Sequence, residues 1–175
     1  MSDDLRFPIG RFTFPGSVSA AERARHIAAI EATPAALAEA VAGLDDIQLD
    51  TPYREEGWSV RQVVHHLADS HINSYTRIRL TLTEDVPTIR PYFEDRWATL
   101  TDARTGPIGL SLALLEALHA RWVLLLRSLE EAHFARRLVH PEHGELTLDQ
   151  LTAMYGWHGP HHVAHITSLR LRRGW

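Results

Sequence analysis

Three capping boxes set where helices begin in this sequence, and they limit the chain to a largely helical fold. In a capping box, a serine or threonine side chain accepts a hydrogen bond from the backbone three residues later, and the side chain at that later position binds back. The three pairs are Ser19 with Glu22, Ser59 with Gln62, and Thr147 with Gln150. Apolar residues recur at helical spacing after each box, so each box predicts an amphipathic helix.

Four helices are predicted from these starts and from the helix-ending residues that follow. The predicted ranges are Ser19 to about Gly43, Ser59 to about Thr83, Leu110 to Ala132, and Thr147 to about Arg173. Pro34 lies inside the first range, where its missing backbone N–H should kink or split the helix. Four amphipathic helices without strand periodicity predict an all-α four-helix bundle, with residues 1–175 forming a single domain.

The segments between the helices predict three further features. Residues 1–18 contain two prolines and two glycines and should form an extended arm laid over the domain. Residues 139–146 favour a small hairpin before the fourth helix. The connection 84–109 could run the full length of a bundle, at about 3.3 Å per residue. The second and third helices therefore need not be an antiparallel pair, and a crossover connection between them is expected.

The composition excludes several classes of protein. The chain has no cysteine, which excludes disulfides, iron–sulfur clusters, thiolate zinc sites and a cysteine nucleophile. No apolar run reaches the length of a membrane span, and the first residues do not resemble a signal peptide, so a cytoplasmic protein with no membrane partner is expected. The formal net charge of -4 at pH 7 disfavours binding to nucleic acid.

Histidine is the residue type that carries the candidate chemistry. The chain has 12 histidines, four of them within residues 158–165. Two pairs, His158 with His162 and His161 with His165, are one helical turn apart, against roughly 0.8 such pairs expected by chance. At about 100° per residue, the fourth helix directs His158 and His162 towards its apolar face. These two side chains either bind a metal together or are core histidines that hydrogen-bond separately.

A third ligand would have to come from another helix, and the second helix offers three histidines. The same helical wheel places His71 in the apolar stripe, His66 at one edge and His65 on the solvent side. Periodicity alone therefore slightly favours His71. Asp69 and Arg77 flank His66 and are candidates for contacts with a ligand or with a substrate.

Other catalytic arrangements are excluded. The sequence has neither a phosphate-binding glycine loop nor a dinucleotide fingerprint, and no serine lies in a nucleophile elbow. The His-Glu-x-x-His motif of zinc proteases is also absent. A carboxylate di-iron site needs Glu-x-x-His on two helices, but the fourth helix has no glutamate after Glu145.

Several segments of the chain resemble the YfiT branch of the DinB-like proteins. They are residues 51–71 (TPYREEGWSVRQVVHHLADSH), 7–10 (FPIG), 89–92 (IRPY) and 157–167 (WHGPHHVAHIT). The resemblance extends over essentially the whole chain, and its motifs are long and specific. It implies a four-helix bundle with up-down-down-up topology, which the long connection 84–109 permits.

The resemblance also implies a metal site and a function. Members of the family bind a divalent metal, nickel or zinc, through three histidines, and they are regarded as metal-dependent hydrolases that are cytoplasmic and often homodimeric. Position by position, the implied ligands are His66, His158 and His162, so that His66 replaces the slight preference for His71. Gly159 and Pro160 depart from a regular helix between two of the ligands, and a kink is expected there.

Three imidazole ligands leave one coordination position open, which is typical of catalytic metal sites. Water at this position could attack an ester or amide carbonyl of a small-molecule substrate, with Asp69 and Arg77 as the candidate catalytic side chains. The open position could instead hold a thiolate, as in the bacillithiol-type S-transferases of the wider DinB-like group. A stress-related protein that binds a metal or another ligand without turnover is the third possibility.

Overall fold

The computed structural model describes residues 5–175, and four long helices account for most of this part of the chain. In chain order the elements are α1 (Ala20–Val41), α2 (Asp46–Leu49), α3 (Val60–Thr83), α4 (Glu94–Trp97), α5 (Thr101–Thr105), α6 (Ile108–Arg127), α7 (Glu131–Phe134), β1 (Arg137–His140), β2 (Gly144–Thr147) and α8 (Leu148–Arg173). The long helices α1, α3, α6 and α8 form the predicted all-α four-helix bundle.

All three predicted capping boxes are formed. They begin α1, α3 and α8, each with both of the reciprocal hydrogen bonds. Gly174 ends α8 with a φ of +70°, a left-handed conformation that glycine adopts without strain. The third long helix is shorter than predicted: α6 ends at Arg127 instead of reaching Ala132, because Glu130 and His133 cap the separate helix α7.

Contacts near the two ends of each helix pair define the direction of the helices. Near the start of both α1 and α8, Arg23 donates hydrogen bonds to the carboxylate of Asp149. Near the end of both, Arg170 donates to the carbonyl oxygen of Ala40. The first and last long helices are therefore parallel neighbours.

Helix α3 runs in the direction opposite to α8. The rings of His66 and His162 lie 4.7 Å apart, and those of His71 and Tyr155 lie 5.4 Å apart, so residue numbers rise on one helix as they fall on the other.

Helix α3 is parallel to α6, because His65 contacts Ser111 and His71 contacts His119. The directions of the four long helices are therefore up, down, down and up, as the sequence resemblance implies.

The crossover between the parallel helices α3 and α6 is also as predicted, and it includes α4 and α5. Its first part is fixed to the hairpin, because Ile89 donates a backbone hydrogen bond to Val139, which donates in turn to Pro87. In the hairpin, β1 and β2 are antiparallel, with Leu138 opposite Leu146. The start of the crossover and the hairpin therefore lie together at one end of the bundle.

Two glycines of α8 allow it to pack closely against α1. A Cβ atom at Gly156 would lie 2.8 Å from Cβ of His26, and one at Gly159 would lie 2.7 Å from Cγ2 of Thr33. Such separations are shorter than non-bonded carbon atoms tolerate, so only glycine fits at these positions. Helix α8 is continuous through Pro160, and α1 is continuous through Pro34, so neither proline splits its helix.

The apolar core consists of two clusters, and the histidines of α8 lie between them along the helix. One cluster includes Leu151 and Tyr155 near the start of α8, together with Trp122 of α6. The other includes Ile166 and Leu169 near its end. The segment 158–165 is therefore held in place by apolar packing on both sides.

Residues 5–18 lie along α8. The carbonyl oxygen of Pro15 accepts a hydrogen bond from Gln150, and that of Arg6 accepts one from Nε2 of His165. The ring of Phe12 contacts that of Trp157 at 5.7 Å between centroids.

Within the described residues, α6 is long and apolar enough to cross a membrane by length and composition. One such helix is weak evidence of a membrane span, since core helices pass the same test. In the bundle, α6 buries the polar side chains of Ser111 and His119 and exposes Leu110 and Leu124. Extraction of α6 from the bundle would break the hydrogen bond between His119 and the carbonyl oxygen of Ile30.

Candidate metal centre

Three histidines from two helices converge at the middle of the bundle. His66 comes from α3, and His158 and His162 come from successive turns of α8. One nitrogen atom of each ring lies within 4.8 Å of those of the other two. The ring centroids are 4.7 Å apart for His66 and His162, 4.5 Å for His158 and His162, and 5.4 Å for His66 and His158. These are the three residues that the family resemblance implies as ligands.

The burial of these rings keeps them in the neutral form that can bind a metal ion. Burial is the main cause that lowers the pKa of His66 to about 3, and the nearby His165 and His161 lower it further. The pKa values of His158 and His162 also lie well below 6.5, first because of burial and then because of neighbouring histidines. At neutral pH all three imidazoles therefore have a free lone pair.

A buried nitrogen of His162 provides a test of whether the cluster suits a metal ion. Its Nδ1 atom is buried and has no hydrogen-bond partner within the part of the chain that the structure describes. An unpartnered buried polar atom is unfavourable by roughly 1–3 kcal/mol. Three neutral imidazoles are also a donor set that suits zinc and nickel. The residues present therefore fit a divalent ion.

A proline in α1 begins a chain of hydrogen bonds that leads to the cluster. Pro34 has no N–H, so the carbonyl oxygen of Ile30, one turn earlier, lacks its usual helical donor. Instead, Nδ1 of His119 lies 2.6 Å from this oxygen. Since a carbonyl oxygen can only accept, Nδ1 of His119 must bear the hydrogen. The other nitrogen of the neutral ring, Nε2, is then an acceptor.

Two further rings continue this series of hydrogen bonds. The three residues His119, His71 and His158 are called the histidine chain below. Nε2 of His119 lies 2.7 Å from Nδ1 of His71, and Nε2 of His71 lies 3.1 Å from Nδ1 of His158. Burial lowers the pKa of His119 to about 4 and that of His71 well below 6.5, so both rings are neutral at pH 7. Each ring then donates through Nδ1 and accepts through Nε2. Nε2 of His158 is left with a free lone pair.

Of the histidines of α3, His65 has a different position from the one that the helical wheel predicts. His65 is buried instead of facing solvent: its ring contacts the hydroxyl of Ser111 at 2.8 Å and the carbonyl oxygen of Gly106 at 3.2 Å. The wheel missed this because α6 and the end of the crossover cover that face. His71 lies in the apolar stripe as predicted, but both of its nitrogens bind other histidines.

The other two histidines within residues 158–165 of α8, His161 and His165, have separate partners. His161 stacks between the rings of Trp157 and Phe7, with centroid distances of 4.2 Å and 5.9 Å. His165 stacks on Tyr53 at 4.1 Å and donates through Nε2 to the carbonyl oxygen of Arg6. The second pair that the sequence offers therefore holds the N-terminal segment on α8.

A cavity of about 440 Å³ opens beside the three candidate ligands. Side chains from α3, the crossover, the hairpin and α8 complete its wall, among them Ser70, Arg77, Tyr92, His140 and Tyr155. Tyr92 hydrogen-bonds with Ser70, and burial raises the pKa of its hydroxyl above the usual value. A small molecule in this cavity would lie against the histidine cluster.

The two predicted catalytic side chains are in different environments. Arg77 lines the cavity, but Asp69 is not part of the described wall. Burial and, to a smaller extent, the nearby Asp102 raise the pKa of Asp69 to about 6. The catalytic roles of both residues stay predictions.

A second group of possible ligands, His140, Glu142 and His143, lies on the hairpin turn at the edge of the cavity. Glu142 and His143 are exposed, and exposed groups of this kind are common without a metal. Burial lowers the pKa of His140, and the nearby His143 and Arg77 contribute to the lowering. The positive charge of Arg77 also disfavours a cation there. The cluster of His66, His158 and His162 is the better candidate.

The histidine chain was not predicted from the sequence. The proline inside α1 was a signal, because it leaves a carbonyl oxygen that needs a donor. Identifying that donor and the two rings beyond it requires the tertiary structure, since His119, His71 and His158 come from three different helices and are far apart in sequence.

The bundle topology and the histidine cluster are together typical of one class of helical protein. The family model of the DinB superfamily matches residues 29–166. The chain therefore belongs to the DinB superfamily, which confirms the family resemblance found in its motifs.

Individual relatives match over nearly their entire length. A Bacillus mycoides protein is 52% identical over 172 residues, which are 98% of this chain and 99% of the relative. The Bacillus subtilis protein YfiT is 50% identical over 175 residues, which are 99% of this chain and 98% of the relative. Both carry the name "Putative metal-dependent hydrolase".

The solved structure of Bacillus subtilis YfiT superposes with a TM-score of 0.95 at 49% identity, covering 98% of this chain and 99% of that one. It is described as a probable metal-dependent hydrolase with an unusual four-helix bundle topology. The up-down-down-up bundle of this chain therefore has the same architecture as the YfiT structure.

Proposed function

We propose that this protein is a metal-dependent hydrolase of small molecules, with one divalent ion per chain held by His66, His158 and His162. The observation that carries the proposal is the position of three neutral imidazoles in the wall of a cavity. When bound, zinc or nickel lowers the pKa of a coordinated water towards neutrality and polarises a carbonyl group. Three protein ligands leave room for that chemistry, whereas a closed structural site has four.

The residues of the chain contribute positioning. The histidine chain fixes the ring of His158 with Nε2 free, and Trp58 packs against His66 with 4.6 Å between the ring centroids. The buried walls of the cavity exclude bulk water from one side of a bound substrate. Tyr92 and Ser70 provide polar contacts that can orient it.

Metal analysis tests the ligand assignment. Protein purified without a histidine tag and without a nickel column should contain about one divalent ion per chain, because three ligands form one site. The triple variant His66→Ala, His158→Ala, His162→Ala should contain none. The matched control is the hairpin variant His140→Ala, Glu142→Ala, His143→Ala, which should keep the ion. Metal that persists in the first variant, or that is lost only in the second, would overturn the assignment.

An assay panel on the metal-loaded protein tests the reaction. Esters and amides are compared with a low-molecular-weight thiol plus an electrophile, and hydrolysis of an ester or amide is expected. Consumption of the thiol would assign a bacillithiol-type S-transferase instead. Metal binding without turnover of any of these substrates would indicate a binding protein.

The family resemblance also supports a cytoplasmic homodimer as a proposal. Multi-angle light scattering of the purified chain should give twice the monomer mass of 19.8 kDa. Cell fractionation should find the protein with cytoplasmic markers. No nucleic-acid partner is proposed, given the net charge of -4.

A further inference from the structure

Arg77 is a buried cation in the wall of the cavity. It lies on α3, and 7% of its surface is exposed. The other arginines and the carboxylates of the cavity wall, such as Arg54, Glu94 and Glu142, are half-buried or exposed at its mouth. Arg77 is therefore the permanent charge that a ligand would meet inside the cavity.

The guanidinium of Arg77 has few partners in the protein. Nη2 donates one hydrogen bond, to the carbonyl oxygen of Arg90 at 3.1 Å. Nε is buried and has no partner. Within residues 5–175, no carboxylate forms an ion pair with it. A guanidinium has five N–H donors, so most of the donors of Arg77 are unused.

Two other arginines of the fold show how this chain treats a buried guanidinium. Arg23 is 6% exposed and binds Asp149 and Glu131. Arg61 is 5% exposed and binds Asp46 and Asp50. Each of these structural arginines has two carboxylate partners. Arg77 is buried to the same degree without one, and an unpaired buried charge is unfavourable for folding.

We propose that Arg77 is the anchor for a carboxylate group of the substrate. A guanidinium can bind a carboxylate through two parallel hydrogen bonds, and a buried pair of this kind is selective. The substrate would lie between this anchor and the histidine cluster. Arg77 is 11 residues after His66 on the same helix, which places the two Cα atoms about 16 Å apart. Both side chains line the cavity between these Cα atoms, so the proposal defines the substrate class as small molecules that carry a carboxylate away from the reacting group.

A carboxylate fits better than a phosphate monoester. Apart from the divalent ion proposed at the histidine cluster, the buried part of the cavity has one permanent positive charge, that of Arg77, which matches the single charge of a carboxylate bound beside it. A phosphate monoester has a charge closer to -2 at neutral pH and is usually bound by several cations or backbone N–H groups.

A titration with benzoate and with inorganic phosphate tests the anchor. Chemical shifts of the full-length chain are followed by NMR, both with bound zinc and after chelation, so that anion binding to the metal is recognised. Benzoate should bind in both states, and more tightly than phosphate. Arg77→Met should weaken binding about tenfold or more, as expected when a charge-assisted hydrogen bond is lost. Arg77→Lys should have an intermediate effect, since lysine keeps the charge but lacks the two-pronged geometry.

The matched control is Arg79→Met, two residues further along the same helix, where the arginine is exposed and contacts Tyr75. This variant should bind benzoate like the wild type. Equal weakening by Arg79→Met and Arg77→Met would overturn the proposal, as would unchanged benzoate binding in Arg77→Met or tighter binding of phosphate than of benzoate.

Urea denaturation separates an anchor from a structural arginine. The midpoint of Arg77→Met should be unchanged or higher, because the substitution removes an unpaired buried charge. The midpoint of Arg23→Met should fall, because two carboxylates lose their partner. A lower midpoint in Arg77→Met with unchanged benzoate binding would assign Arg77 to the fold alone.

The proposal rests on the proposed function only in that the ligand anchored by Arg77 is taken to be the substrate of the hydrolase. Failure of the metal-loaded protein to hydrolyse any ester would contradict the hydrolase, while the benzoate titration would still decide the role of Arg77. Hydrolysis of a neutral ester and of its carboxylate-bearing analogue at equal rates, in the wild type and in Arg77→Met alike, would support the hydrolase and overturn the anchor.

Discussion

Single residues set the orientation of the histidine rings. Pro34 leaves the carbonyl oxygen of Ile30 without a helical donor, and His119 supplies one. Every later hydrogen bond in the histidine chain has its direction fixed by this first one, because a neutral imidazole has one donor and one acceptor. Pro34 of α1 therefore determines, through His119 of α6 and His71 of α3, which nitrogen of His158 is free.

The histidine chain should increase the affinity for metal. In His71→Phe the ring shape is preserved, but Nδ1 of His158 loses its acceptor, so the ring can adopt the wrong tautomer or rotate. We expect metal affinity to fall by about 10–100-fold, the usual effect of removing a group that orients a ligand. Competition with a chelating dye of known zinc affinity measures the change.

The control for this experiment is His65→Phe. His65 is also a buried, hydrogen-bonded histidine of α3, but its contacts are with Ser111 and Gly106. This variant should be destabilised yet keep its metal affinity. An equal loss of affinity in both variants would show that general damage to α3, and not the histidine chain, controls binding.

At the scale of secondary-structure elements, the contact between α1 and α8 decides where the candidate ligands His158 and His162 lie. The sequence suggests that Gly159 marks a kink between them. The structure shows a continuous helix in which this glycine faces Thr33. The missing side chain allows close packing of two parallel helices, and this packing keeps His158 and His162 on the side that faces α3.

Gly159→Ala should destabilise the protein by about 1–3 kcal/mol, the usual range for overpacking. The added methyl group would overlap the side chain of Thr33, and this overlap outweighs the gain of about 1 kcal/mol in helix propensity. Urea denaturation monitored by circular dichroism measures the change in the free energy of unfolding.

Two variants test the explanation for this effect. Thr33→Ala combined with Gly159→Ala should recover part of the loss, since the overlapping atoms are removed. Gly109→Ala in α6 should not destabilise, because a Cβ atom there meets nothing within 4 Å. Additive effects of the two substitutions in the double variant would contradict a steric origin.

At the scale of the whole molecule, the buried histidines couple stability to pH. Burial lowers the pKa of His119 to about 4, whereas an unfolded histidine titrates near 6.5. Between these values the unfolded chain binds a proton that the folded chain does not. Stability is therefore complete above pH 6.5 and is lost as pH falls towards 4, with about 2 kcal/mol lost by pH 5 from this residue.

Urea denaturation of the metal-free protein at several pH values measures this dependence. His119→Leu should lose less stability between pH 7 and pH 5 than the wild type, whatever its stability at neutral pH. Leu126→Ala, a core variant without a titratable group, should be less stable at every pH with the same dependence as the wild type. Identical pH dependence in all three proteins would rule out a contribution from His119.

The metal should stabilise a fold that exists without it. The two apolar clusters and the capped helices do not need the ion, so chelation should leave the far-ultraviolet circular dichroism nearly unchanged. At 100 times the dissociation constant, free metal should add about 2.7 kcal/mol to stability. Hydrogen exchange should increase locally around residues 155–165 after chelation. Global unfolding by the chelator would instead indicate a structural metal.

The starts of α1, α3 and α8 were predictable from the sequence because a capping box is a local interaction within four residues. The direction of His158 and His162 towards the bundle was predictable because helical periodicity fixes the face of a side chain. Periodicity cannot tell what covers that face, which is why His65 was wrongly placed in solvent. The choice of His66 over His71 came from the family motif, since both lie on or near the apolar stripe.

The sequence by itself therefore determined the four-helix bundle, the approximate ends of α1, α3 and α8 and, through the family motif, the candidate ligands. Only the tertiary structure decided that His71 and His119 form a hydrogen-bonded chain with the candidate ligand His158, that Gly159 serves close packing, and that Arg77 is buried without a carboxylate partner among residues 5–175. The physical reason is the range of the interactions. Caps and periodicity act within a few residues, whereas hydrogen bonds, steric contacts and ion pairs between helices depend on which distant residues the fold brings together.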